Sequence, residues 1–124
     1  MAGALTPAAW YIQAQRFRRL YRQRVLEALQ DVDVLIAPAT PVTAPRLDQT
    51  MMTVAGAEIP VRANLGIFTQ PISFIGLPVV AAPLQNPGGM PIAVQLIARP
   101  FEEQAVLRAA HWLEREGICT APAA

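Results

Sequence analysis

The alternation of apolar and polar positions divides the chain into a long helix, a short strand, a long irregular stretch, a short helix, a strand hairpin and a closing helix. Trp10, Ala14, Phe17, Tyr21, Val25 and Ala28 recur at helical spacing and fall on one side of a helix. Thr6-Pro7 places a capping residue before a proline at the first helical position, so the helix is predicted from Pro7 to Gln30. Its apolar stripe is expected to be buried. Asp33-Val34-Leu35-Ile36-Ala37 is a continuous apolar run stopped at Pro38, the pattern of a strand buried on both faces. Pro38 to Val61 contains four prolines and no sustained period, and reads as a loop. A loop of that length is uncommon in a compact domain unless it is functional or lies over another part of the protein.

Arg62 to Thr69 predicts a short helix stopped by Pro71. Val79-Val80-Ala81-Ala82-Pro83 and Ile92 to Ala98 predict strands joined through the turn signal Asn86-Pro87-Gly88-Gly89, an antiparallel hairpin. Val106, Ala109, Ala110, Leu113 and Gly117 give the closing helix its stripe, from Glu102 to Glu116, with Gly117 as the residue that ends it. Glu102 and Glu103 stand in its first turn, where the helix dipole favours anions. These elements make an α/β or α+β chain with a mixed sheet.

Composition changes this picture in one respect. Of the 124 residues, 53% are hydrophobic and 15% charged. An average domain is about 25% charged. Low charge, doubly apolar strands and a long loop together indicate surface meant for a larger body. The net charge of +1 argues against a charge-driven nucleic-acid or membrane binder. Arg16, Arg18, Arg19, Arg22 and Arg24 are accordingly read as a solvated helix face rather than a phosphate-binding patch.

Candidate chemistry is sparse. The ten basic residues are all arginine, which excludes lysine chemistry within this chain. Ser73, His111 and Cys119 are the single serine, histidine and cysteine. Ser73 lacks a G-x-S-x-G context, His111 reads as structural, and Cys119 falls in a tail after the last helix. One cysteine makes neither an internal disulfide nor a cysteine zinc site, which suits an intracellular protein. No targeting or membrane-spanning segment is visible, and a soluble, cytoplasmic protein is expected. No metal, cofactor or nucleic-acid partner is expected.

A family resemblance emerges from several segments taken in order. Asp33-Val34-Leu35-Ile36-Ala37-Pro38-Ala39-Thr40-Pro41 resembles a segment near the C-terminal end of amidase signature enzymes. Asn64, then Gly76-Leu77-Pro78 and Pro83, resembles the family's asparagine followed by G-x-P and an apolar strand ending in proline. Pro91 to Ile97 is similar to its closing strand, with Ala93 where glycine is usual, and the helix ending at Leu113-Glu114 is similar to its last helix. The resemblance covers residues 6–117, leaving 118–124 as a tail. Phe68 to Pro78 most resembles the carboxybiuret hydrolase branch, while aliphatic amidases and the amidotransferase A subunit share the scaffold.

The resemblance implies that residues 1–124 are the C-terminal portion of a single amidase domain. The implied fold is α/β/α, a mixed sheet with a closing antiparallel hairpin and flanking helices. Such enzymes hydrolyse amide C–N bonds with a serine nucleophile, a second serine in a cis peptide and a lysine base. No lysine and no Ser-Ser pair occurs in this sequence, so the chain alone is expected to be inactive. A small amide substrate is implied for the complete enzyme only, with the chemistry supplied by an N-terminal part. The alternative is a non-catalytic subunit that complements a separate N-terminal half. Asn64, Thr69 and Gln70 are the substrate-pocket candidates; helix capping and turn hydrogen bonds are their competing structural roles.

Overall fold

The computed structural model describes residues 2–86 and 89–120. Helix α1 runs Ala8–Ala28, with Pro7 in extended conformation as its N-cap; the expected Thr6 cap does not form. Strand β1 is Leu35–Pro38. The predicted loop to Val61 contains a second hairpin, β2 (Met51–Val54) and β3 (Ala57–Pro60). Its turn residues Ala55 and Gly56 both have positive φ, 50° and 81°, the geometry of a two-residue hairpin loop. Ala-Gly lacks the Asn-Gly signature that usually announces such a turn, so the pattern concealed it.

Helix α2 is a single turn, Val61–Asn64, and α3 spans Gln70–Ile75. Pro71 therefore opens a helix instead of stopping one. In the first turn its missing N–H is not needed, and its fixed φ is already helical. Strands β4 (Val79–Leu84) and β5 (Ile92–Ile97) form the expected antiparallel hairpin, followed by α4 (Glu103–Arg115). Pro87 and Gly88 of its turn signal lie outside the described residues. Asn86 closes that turn by donating from Nδ2 to the Met90 carbonyl at 2.9 Å.

The main sheet has the order β1-β5-β4, with both pairings antiparallel. No parallel pairing occurs among the described residues, so these strands do not themselves make the sheet mixed. Alternation along β5 sends successive side chains to opposite faces. Leu96 joins Ala82, Ala98, Ala105, Val106 and Cys119 in a cluster beneath α4. Ile97 joins Leu29, Ile72, Ile75 and Leu77 in a second cluster beneath α1 and α3. The result is helix, sheet, helix, the layered arrangement that doubly apolar strands require.

Two expectations of burial do not hold. Strand β1 lies at the sheet margin, and Leu35 and Ile36 are 43% and 56% exposed. The stripe of α1 is also open at its N-terminal end, where Trp10 is 71% exposed and Phe17 59%. Only towards Tyr21 and Val25 does the helix meet the cluster around Leu29 and Ile75. A helix of 21 residues is about 31 Å long, against about 20 Å for the six-residue strands. Its first half thus overhangs what this chain can cover.

Two end contacts anchor the helices. Arg99, just past β5, donates from Nη1 to the carbonyl oxygens of Leu29 and Gln30 at 3.4 and 3.2 Å. A cation there complements the negative end of α1. After α4, Gly117 takes φ of 68°. Its N–H donates to Glu114 O at 3.0 Å, and the Ile118 N–H to Leu113 O at 2.9 Å, as in a Schellman cap. That turn sends the chain back to the sheet, so Cys119, expected in a tail, is buried and bridges to Leu84.

Candidate functional site

The segment from α2 to α3 carries the three pocket candidates, and the structure separates them. Asn64 ends α2 and donates from Nδ2 to the Pro60 carbonyl at 2.9 Å. That bond ties the helix turn to its own start. Thr69 precedes α3, and its hydroxyl donates to Gly66 O at 3.4 Å. Both side chains make local turn hydrogen bonds. Gln70 differs. It lines an open groove of about 680 Å³ together with Phe17, Tyr21, Ala63, Ile67, Pro71 and Phe74.

The groove lies between the exposed part of α1 and the α2–α3 segment. Phe17 and Tyr21 stack one turn apart along α1, ring centroids 6.0 Å apart. Phe74 faces them from α3, and the Arg18 guanidinium lies 5.7 Å from its ring centroid. The lining is apolar apart from the Gln70 amide and the Tyr21 hydroxyl. Gly66 lets the Gln70 side chain fold back over the loop, because a Cβ at position 66 would stand 2.9 Å from Gln70 Nε2.

The other chemistry-bearing residues do not converge. Ser73 is exposed on α3, whereas His111 is exposed on α4 across the sheet. His111 lines a separate shallow groove with Glu114 and Cys119, between α4 and β4. No group of three metal-ligating side chains occurs among the described residues. No described helix is long and apolar enough to cross a membrane.

One residue of the closing strand, to which the sequence assigned no role, stands out. Gln95 is 2% exposed in the middle of β5. Its Nε2 donates to the carbonyl oxygens of Pro38 and Phe68, both at 2.9 Å. A single amide inside an otherwise apolar strand was the available signal.

Comparison with known proteins gives this geometry a context. The family model described as Amidase matches residues 2–107. The chain is 51% identical over 121 residues to 1-carboxybiuret hydrolase subunit AtzE of Pseudomonas sp. (strain ADP), covering 95% of this chain and 26% of that protein. It superposes with TM-score 0.89, at 49% identity, on a solved structure described as an unexpected vestigial protein complex revealing the evolutionary origins of an s-triazine catabolic enzyme. That match covers 98% of this chain and 27% of the other. A crystal structure of an amidase matches with TM-score 0.87 at 30% identity, covering 93% of this chain and 26% of the other. The chain thus spans about a quarter of the length of these relatives. With the family model matching most of the sequence and the same fold in each neighbour, this chain belongs to the amidase family.

Proposed function

We propose that this chain is the C-terminal part of an amide C–N hydrolase, contributing scaffold and one wall of the substrate pocket. The observation that carries this reading is a mismatch between family and inventory. The family's chemistry uses a serine nucleophile, a second serine in a cis peptide and a lysine base. This sequence has one serine, Ser73, and no lysine. The reacting groups therefore come from outside these residues, and the chain's task is binding and support. Identity of 51% to a carboxybiuret hydrolase subunit favours a small, planar, urea-like amide as substrate.

Within that reading, Gln70 is the pocket residue that meets substrate. Its amide both donates and accepts, and it is the side chain of the three candidates that lines the groove. Asn64 and Thr69 shape the wall through their bonds to Pro60 and Gly66. In the complete enzyme, Gln70→Ala is expected to raise KM by about tenfold, the value of one lost hydrogen bond, with kcat less affected. An unchanged KM would remove Gln70 from the pocket.

A second reading, a separate non-catalytic subunit that complements an N-terminal half, is favoured by the open α1 face around Trp10 and Phe17. Co-purification of the two halves expressed as separate chains supports it. Failure of the halves to associate removes it.

A further inference from the structure

Gln95 is an expensive residue to place where it stands. It is 2% exposed, and β5 is otherwise apolar from Ile92 to Ile97. Both hydrogens of its amide nitrogen are used, on Pro38 O and Phe68 O at 2.9 Å. That fixes the orientation of the amide and leaves Oε1 buried with no partner among the described residues. An apolar side chain of the same shape would strand no side-chain acceptor. What Gln95 supplies in return is geometric: two distances, to points 57 and 27 residues away in sequence, set from one rigid central strand.

Those two points are informative. Pro38 is the last residue of β1, and the chain beyond it is held by the Ala39 N–H donating to Ala93 O at 2.9 Å. Phe68 leads directly into Thr69 and Gln70. The hydrogen bonds of that segment are otherwise local: Thr69 N–H and Gln70 N–H donate to Gly66 O, and Ser73 N–H donates to Thr69 O. Beyond them, Ile72 and Ile75 bring α3 to the sheet through the apolar cluster that holds Ile97. Apolar contacts set proximity, whereas a pair of directed hydrogen bonds sets register.

We infer that Gln95 is a positioning residue, clamping the Phe68–Gln70 wall to the end of β1 and so setting where Gln70 stands over the groove. The clamp itself is independent of the proposed function; its importance for turnover rests on the pocket reading.

Hydrogen exchange on the chain and its Gln95→Met variant tests the clamp, since Met keeps the length and flexibility of the side chain and loses the donors. Protection at Thr69, Gln70 and Ser73 is expected to fall by about tenfold or more, with Val106 and Ala109 of α4 unchanged. Uniform loss, or no loss, overturns the inference. The unsubstituted chain offers a second measurement that needs no variant. The side-chain amide protons of Gln95 should exchange at least about tenfold more slowly than those of exposed Gln85. Equal rates overturn the clamp. In the complete enzyme, Gln95→Met is expected to raise KM for a small amide by about tenfold, more than it lowers kcat. Lost loop protection with an unaltered KM would leave the clamp standing and reject the pocket reading.

Discussion

The Arg18 guanidinium carbon lies 5.7 Å from the centroid of the Phe74 ring, joining α1 to α3 by a cation over an aromatic face. In the sequence, Arg18 belongs to a run of arginines on a polar helix face. The fold gives this one a partner, while Arg24 makes only an exposed pair with Glu27 at 3.1 Å. A double-mutant cycle on Arg18→Ala and Phe74→Leu, followed by urea unfolding, should give a coupling of about 0.5–1 kcal/mol. Additive effects would show that the contact carries no energy.

Leu96 is 0% exposed and stands at the centre of the cluster beneath α4. Leu96→Ala should destabilise the chain by about 2–5 kcal/mol, enough to threaten folding of a domain this small. Loss below about 1 kcal/mol in denaturant titration would place the core elsewhere.

Gly117→Ala isolates a backbone effect. The nearest atom to an added Cβ is Gln85 Nε2 at 3.9 Å, so the methyl group has room. The φ of 68° remains costly for any residue with a Cβ. A loss of about 1 kcal/mol is expected, measured by thermal or urea unfolding. A neutral substitution would mean that the cap after α4 relaxes freely.

Ala55→Asn should act in the opposite direction. Ala55 takes φ of 50° at the first turn position of the β2–β3 hairpin, ahead of Gly56. Asn-Gly is the preferred pair for such a turn, so a gain of about 0.5–1 kcal/mol is expected. Slower exchange at the amides of Val54 and Ala57, the pair that flanks the turn, would accompany it.

These cases also show what the pattern of residues could convey. The long helices, the β4–β5 hairpin and the Gly117 cap were legible because period, turn residues and a terminal glycine agreed. The β2–β3 hairpin was hidden because Ala55 occupies a position usually given to Asn or Gly. Pro71 was read as a stop, yet the same fixed φ that ends one helix begins another. Burial of α1 and β1 was overestimated for a different reason: apolar faces in a sequence report that a partner exists, not that it lies within these residues. Only the fold distinguishes Gln70, on the groove, from Asn64 and Thr69, which bond to their own turns. Gln95 was legible as the polar position of the resembled closing strand, but its role was not, because its partners lie far away in sequence.

On the proposed function, these residues support and bind while the reacting groups come from elsewhere. Release of ammonia from a small urea-like amide tests this division directly, using residues 1–124 alone and then together with the remainder of the amidase supplied as a separate chain. No release above the buffer rate is expected from the segment alone, and turnover is expected once the two are combined. Turnover by the segment alone would contradict the proposed function.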